Sequence, residues 1–157
     1  MNLYDKIKNL LGDNNIEYEE TNHKPVFTSH EAAKIRGSKL SEGAKALIFW
    51  ADSKPIQIVI QGDKRVDRDK FKNRFGFKKL KMVTSEEVKE ISSVEPGAVA
   101  PFGNLFEPEI PVYCTKSLLQ NDKIEFNAGH HGISISLNPQ DWQNIVNPIV
   151  GEFEENG

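Results

Sequence analysis

Apolar and polar positions along the chain switch between the period of a helix and the period of a strand. Apolar residues at helical spacing run from Leu3 to Leu11 and predict an amphipathic helix that ends at Gly12. Two apolar runs, 45–50 and 55–60, flank a polar turn and predict a β-hairpin. Further short strands are predicted at 16–20, 79–83, 112–115, 124–127 and 133–137.

Capping residues mark the other helices. Thr28 and Thr84 each stand three residues before a glutamate, which is the spacing of a capping box, so helices are predicted to follow them. Asn138 and Pro139 predict the start of the last helix, and a basic helix is predicted over 67–75. Because the helices do not alternate strictly with the strands, we predict a mixed α/β (α+β) fold. We expect a central, mixed, partly barrel-like sheet of about seven strands surrounded by helices, in one domain over residues 1–157.

Composition excludes several classes of protein. The 157 residues are 38% hydrophobic and include nine Phe, which is too apolar for a disordered chain. No apolar run reaches the roughly 20 residues that span a bilayer, and the first residues lack the order of a secretory signal. A single cysteine excludes an internal disulfide framework. We therefore expect a soluble, cytoplasmic protein without membrane contacts.

Charge is distributed unevenly along the chain. The net charge is −3, yet residues 64–81 hold nine basic and two acidic residues, so this basic segment carries +7 and the remainder −10. Such a segment predicts a local contact with a polyanion, for which Lys70 and Arg74 are the candidates. A solvent-exposed helix face is the alternative interpretation, and charge runs often have no other role.

The segment 95–104 contains two prolines and two glycines among small apolar residues, which is unusual for a solvent-exposed loop. Gly97 permits a positive φ or a close approach, and Pro96 and Pro101 stiffen the chain. Consecutive backbone N–H groups in such a loop can bind an anion or a developing oxyanion. The alternative is a buried connection that only packs. We call residues 95–104 the proline loop.

Three other positions are candidates for chemistry. Lys45 opens an apolar strand, from where its ammonium can hold a phosphate or a polarised carbonyl, although such a lysine is often simply exposed. His130 and His131 point to opposite faces of a turn, so they are not expected to chelate one metal ion; one of them can face a pocket, and ordinary turn histidines are the alternative. Cys114 lies in an apolar strand and is interpreted as a small buried residue rather than a nucleophile. No cofactor or metal motif is present.

Taken in order, these segments resemble the YbaK/EbsC family, the free-standing relatives of the prolyl-tRNA synthetase editing domain. The likeness is carried by Gly-Ala-Lys-Ala-Leu around Lys45, by 96–103, and by Phe-Asn-Ala-Gly at 126–129. It implies a trans-acting aminoacyl-tRNA deacylase that hydrolyses the ester of a mischarged tRNA. The implied partners are the 3′ end of aminoacyl-tRNA and an aminoacyl-tRNA synthetase, and no cofactor is implied.

The resemblance also implies roles for individual residues. It makes Lys45, Gly97, Ala98 and His130 catalytic, and Lys70 and Arg74 tRNA-binding. The expected substrate-binding residues are Val99, Ala100, Pro101, Phe102, Gly103, Gly129 and Ser134.

One departure and one match bear on the amino acid, and together they leave it open. Ser134 is neutral, where the cysteine-removing branch of the family carries an acidic residue. His130 matches a histidine of the branch that acts on alanyl-tRNA, although His131 can take that place. We expect alanine or another small amino acid such as serine, threonine or cysteine. The alternatives are a non-catalytic tRNA- or synthetase-binding module of the same fold and a cysteine-dependent hydrolase.

Overall fold

The computed structural model describes residues 1–156, in which eight strands form two sheets packed with five α-helices. The helices are α1 (Leu3–Asp13), α2 (Ser29–Arg36), α3 (Arg68–Phe75), α4 (Ser85–Ser92) and α5 (Pro139–Val146). The strands are β1 (Tyr18–Asn22), β2 (Ala44–Ala51), β3 (Lys54–Gln61), β4 (Leu80–Met82), β5 (Val112–Thr115), β6 (Ile124–Asn127), β7 (Ile133–Leu137) and β8 (Ile149–Gly151). The predicted mixed α/β class is confirmed.

The strands are divided between two sheets rather than gathered in one. The larger sheet has the order β4-β2-β3-β5-β8 and is mixed, because β2 is antiparallel to β3 and β4 while β5 is parallel to β3 and β8. The smaller sheet, β1-β7-β6, is antiparallel. A parallel bridge between Gly43 and Glu125 joins the start of β2 to β6, and it brings the two sheets together beside the candidate site.

Local sequence accounts for most of the element boundaries. The Thr28 side chain accepts a hydrogen bond from the Glu31 amide at the start of α2, and Gly37 ends that helix in the left-handed region at φ +67°. Asp52 and Ser53 both have positive φ, as a two-residue hairpin turn requires. β1 begins two residues later than predicted, and the three-residue β8 was not predicted.

The main hydrophobic core lies where α1, α5 and the proline loop cover the two sheets. Its fully buried aromatic side chains are Phe102, Phe126 and Trp142. A smaller cluster around Phe71 and Phe153 fixes α3 against the other side of the larger sheet. None of the helices in residues 1–156 combines the length and the apolar character needed to cross a membrane.

Candidate active site

A cavity of about 240 Å³ opens between α2, the beginning of β2, the proline loop and the end of β6. Three of the predicted site residues line it: Lys45, Gly97 and Val99. Much of the remaining wall is formed by small side chains, namely Ala32, Ala33, Gly43, Ala44 and Ala46. The cavity therefore combines a cation, loop backbone and little side-chain volume.

Lys45 occupies a partly buried position on β2. Its ammonium donates a hydrogen bond of 2.9 Å to the backbone carbonyl of Lys64, which fixes one of its three N–H groups and leaves two for a ligand. Burial lowers the pKa of Lys45 below its ordinary value of 10.5, and the nearby charge of Arg65 lowers it further, while Asp63 opposes the shift. The side chain is thus a cation held at the cavity wall.

The proline loop turns sharply at Gly97. The Ala98 amide donates to the Glu95 carbonyl at 3.0 Å, and Gly97, at the third position of this turn, has φ +85°. This is the backbone conformation for which a glycine is favoured. Among the hydrogen bonds of residues 1–156, none uses the amides of Gly97 and Val99, and both residues line the cavity. Their N–H groups are candidates to bind an anionic oxygen.

The rest of the loop is a buried support. Gln57 donates to the Ala100 carbonyl at 3.0 Å and accepts from the Gly103 amide at 2.9 Å. The Trp142 indole donates to the Pro101 carbonyl at 2.9 Å, and Phe102 packs in the core. The cavity wall does not include Ala100, Pro101, Phe102 or Gly103. Ala98 instead faces a neighbouring groove, which Gly129 and His130 also border. Residues 100–103 are therefore a buried connection, whereas the anion-binding interpretation of Gly97 and Val99 stays a prediction.

Arg36, at the end of α2, is a site residue that the sequence analysis missed. Its guanidinium is buried and donates hydrogen bonds to the Ser134 hydroxyl at 2.8 Å and to the Asn127 side-chain oxygen at 3.0 Å. Burial lowers the pKa of Arg36, and Glu125 opposes the shift. Asn127 in turn donates to the Gly97 carbonyl at 2.8 Å. This chain of contacts connects α2 and the smaller sheet to the turn of the proline loop.

Ser134, expected to bind substrate, lies beneath this network rather than on the cavity wall. It is 4% exposed and accepts from Arg36, while its hydroxyl donates to the His23 Nε2 at 2.7 Å. The direction of that bond follows because His23 Nδ1 lies 2.7 Å from the Lys24 carbonyl, to which it can only donate. Ser134 therefore positions Arg36.

Glu125 was missed as well. It lines the cavity from β6, its side chain is only 7% exposed, and one oxygen, Oε1, lies 3.1 Å from the Lys123 ammonium. The other oxygen, Oε2, is buried without a hydrogen-bond donor in the described residues. Arg36 Nε is 4.0 Å away and donates to Ser134 instead.

The two histidines of the 129–132 turn lie outside the cavity. His130 is exposed and accepts a hydrogen bond from the Gly132 amide at 2.9 Å, and with Gly129 it borders the neighbouring groove. His131 packs against Phe27 with 4.5 Å between ring centroids and donates through Nδ1 to the Val26 carbonyl. A Cβ added at Gly97 would lie 3.1 Å from the His131 ring, so His131 is the histidine in contact with the proline loop.

The basic segment is only partly free for a polyanion. Lys70 donates to the Glu154 carbonyl and to the Asn156 side chain, both at 3.1 Å, so it holds the end of the described chain. Arg74 is exposed and lies over the Phe75 ring. Cys114 is fully buried, and burial raises its pKa to about 12, so it is not poised as a nucleophile. Among residues 1–156, no cluster of three or more His, Cys, Asp or Glu side chains is arranged to hold a metal ion.

Weak sequence signals explain why Arg36, Asn127 and Glu125 were missed. Arg36 reads as an ordinary basic residue in the last turn of a helix, where it also suits the helix dipole. Glu125 and Asn127 alternate along β6 and so share one face of the strand, which is a signal that could have marked them as a pair.

Comparisons with known proteins find relatives over most of the chain. The family model of the aminoacyl-tRNA editing domain matches residues 23–145. The multifunctional Ser/Thr-tRNA deacylase ProXp-y of Escherichia coli is 26% identical over 92% of this chain and 88% of its own. The uncharacterised protein YwhH of Bacillus subtilis is 36% identical over 73% of this chain and 71% of its own.

A solved structure gives the same fold. The crystal structure described as a candidate trans-editing enzyme for prolyl-tRNA synthetase superposes with a TM-score of 0.83, covering 98% of this chain and 97% of that one at 21% identity. At that identity the likeness shows the fold. The resemblance found in the sequence is confirmed by the family match, which covers most of the chain. The chain belongs to the aminoacyl-tRNA editing domain family.

Proposed function

We propose that this protein is a trans-acting aminoacyl-tRNA deacylase that hydrolyses the ester between a small amino acid and the terminal ribose of a mischarged tRNA. The observation that carries the proposal is that Lys45, Gly97 and Val99 line one cavity, while the amides of Gly97 and Val99 have no hydrogen-bond acceptor among residues 1–156. The family and the deacylase activity of the Escherichia coli relative support the same class of reaction.

The chemistry follows from what the cavity offers. Water adds to the ester carbonyl, and the amides of Gly97 and Val99 stabilise the negative charge that develops on the carbonyl oxygen. Lys45 holds the phosphate of the terminal nucleotide or the carbonyl region. The bond between the carbonyl carbon and the ribose oxygen then breaks, and a proton passes to that oxygen, which leaves a free amino acid and a tRNA with a free hydroxyl. Because the ester is labile, positioning supplies much of the acceleration.

His130 has no catalytic role in this reaction, because it borders the neighbouring groove and not the cavity. The terminal ribose of the substrate brings its own 2′-hydroxyl, which can orient the water. The proposal therefore needs no protein nucleophile, in keeping with the burial of Cys114.

The size of the cavity favours a small amino acid. Its volume of about 240 Å³ lies below the roughly 300–1,000 Å³ of pockets that take drug-sized ligands. Alanine, serine, threonine and cysteine are the candidates, and the Ser/Thr-tRNA deacylase relative favours serine and threonine.

We further propose that residues 1–157 form one editing domain that acts in the cytoplasm, where charged tRNA is used. An aminoacyl-tRNA synthetase is the proposed protein partner, since the family match and the similarity to part of proline–tRNA ligases relate this chain to synthetase editing. Arg74 is the proposed tRNA contact in the basic segment, while Lys70 contributes less because it is bound within the chain.

A panel of charged tRNAs tests the activity. Catalytic amounts of protein are incubated with alanyl-, seryl-, threonyl- and cysteinyl-tRNA, and loss of ester is compared with the spontaneous rate. We expect at least one ester to be hydrolysed, and Lys45→Ala to abolish that hydrolysis while tRNA affinity falls only modestly. Lys54→Ala, which removes an exposed lysine at the β2–β3 turn, is the matched control. No hydrolysis above the spontaneous rate, with binding retained, would favour the non-catalytic binding module.

A further inference from the structure

The least satisfied charged group in the cavity is Glu125. Its side chain is 93% buried, since 7% of its surface is exposed, and Oε2 has no hydrogen-bond donor among residues 1–156. A buried carboxylate oxygen without a donor is unfavourable, so proteins normally pair such groups. Glu125 lines the cavity, and its buried Oε2 is an acceptor for which residues 1–156 supply no donor.

The neighbouring cations do not supply this donor. Arg36 Nε, at 4.0 Å from Oε2, uses its hydrogen on the Ser134 hydroxyl, and a second guanidinium nitrogen donates to Asn127. Lys123 lies at the other oxygen, Oε1, at 3.1 Å. The guanidinium thus lies near Glu125, but its N–H groups are oriented toward other acceptors.

The position of Glu125 is suited to one end of the substrate. The backbone bridge from Glu125 to Gly43 places it beside the segment that leads to Lys45, and Asn127 of the same strand holds the Gly97 turn. In an aminoacyl ester, the α-nitrogen is separated from the carbonyl carbon by one carbon atom. An ester whose carbonyl lies at the Gly97 and Val99 amides therefore leaves its α-nitrogen inside the same small cavity.

We propose that Glu125 Oε2 accepts a hydrogen bond from the α-ammonium group of the aminoacyl ester. The inference rests on the proposed deacylase function and adds a specificity to it. A charge-assisted hydrogen bond in a buried site distinguishes a free α-ammonium from a neutral or acylated nitrogen. The enzyme then favours free aminoacyl-tRNA and rejects tRNA whose α-nitrogen is acylated, as in formylated or peptidyl esters.

The test pairs an enzyme variant with a substrate of nearly the same shape. Nitrous acid converts alanyl- or seryl-tRNA into its 2-hydroxyacyl counterpart, which replaces the ammonium by a neutral hydroxyl. Glu125→Gln keeps the shape of the side chain and removes its charge. We expect this variant to lower kcat/KM for the aminoacyl ester by about 10- to 100-fold and to change kcat/KM for the hydroxyacyl ester by less than about 3-fold.

The variant is compared with the wild-type protein on each ester separately, so the different intrinsic reactivities of the two esters cancel. Glu86→Gln, the same change at an exposed position on α4, is the control and is expected to retain activity on both esters. If Glu125→Gln lowers both esters equally, Glu125 acts only through the Arg36 network and the inference is overturned. If the wild-type protein hydrolyses neither ester, the proposed function itself fails, and the inference fails with it.

Discussion

The side-chain amide of Asn127 donates a 2.8 Å hydrogen bond to the carbonyl of Gly97, across a separation of 30 residues in the sequence. Asn127 also accepts from Arg36, so the turn of the proline loop is fixed to β6 and, through Arg36, to α2. The part of the loop that lines the cavity is held in place by a side chain outside the loop. Preorganised donors of this kind are the groups that stabilise developing charge most effectively.

Asn127→Ala is expected to reduce deacylation about 10-fold or more, chiefly in kcat, because the Gly97 turn loses its anchor and Arg36 loses an acceptor. Single-turnover hydrolysis separates this effect from binding. Asn144→Ala, at an exposed position on α5, is the matched control. Unchanged single-turnover rates in Asn127→Ala would show that the turn holds its shape without this contact.

Gly97→Ala is expected to lower the free energy of unfolding by about 1–2 kcal/mol, since alanine is strained at a left-handed φ. At φ +85° the new Cβ would also press on the His131 ring at 3.1 Å. Thermal denaturation measures this loss of stability, and we expect the deacylation rate of Gly97→Ala to fall as well. Gly12→Ala is the control, because an added Cβ there meets nothing within 4 Å, and we expect it to be neutral or slightly stabilising.

Deacylation is expected to decline at a lower alkaline pH than it would if Lys45 had the ordinary lysine pKa of 10.5. Burial and Arg65 lower the pKa of Lys45 below 10.5, so its ammonium is lost at a lower pH. Because the pKa of Lys45 is lower in the folded protein, the unfolded chain binds this proton more tightly. The contribution of Lys45 to the free energy of unfolding therefore becomes more favourable as the pH rises from the lowered pKa toward 10.5. NMR titration of the Lys45 side-chain nitrogen measures its pKa directly. A value at or above 10.5 would contradict the assigned burial.

Arg74→Glu is expected to weaken tRNA binding several-fold at low salt and to reduce the slope of log K against log salt by about one or more, since a phosphate contact is replaced by repulsion. Filter binding over a salt series measures both quantities. Lys70→Glu should act mainly on stability, because Lys70 holds residues 154 and 156. An unchanged salt slope in Arg74→Glu would leave α3 as a solvent-exposed face.

Cys114→Ala is expected to retain deacylation per folded molecule. The thiol is fully buried and burial raises its pKa to about 12, so almost no thiolate is present at neutral pH. Treatment of the native wild-type protein with iodoacetamide should leave activity intact. Rapid inactivation by the reagent, together with an inactive Cys114→Ala, would support the cysteine-dependent hydrolase instead.

The sequence by itself determined the elements, because their signals are local. The signals for these elements are the caps at Thr28 and Thr84, the hairpin turn and the short strand-forming segments 112–115, 124–127 and 133–137. Each depends on residues within a few positions of each other, and these elements appear where they were predicted. The Lys45 and 96–103 motifs likewise identified the family that the comparisons confirmed. The three-residue β8 was missed because its pairing partner, β5, lies far away in the chain.

Only the tertiary structure decided which candidates share a cavity. Arg36, Asn127 and Glu125 looked ordinary in sequence, and they became site residues when α2, β6 and the proline loop met. Conversely, His130 and most of the loop were placed elsewhere. The physical reason is that hydrogen bonds and burial act over a few ångströms in space. Residues separated by 30 to 98 positions come within that range only when the two sheets pack together.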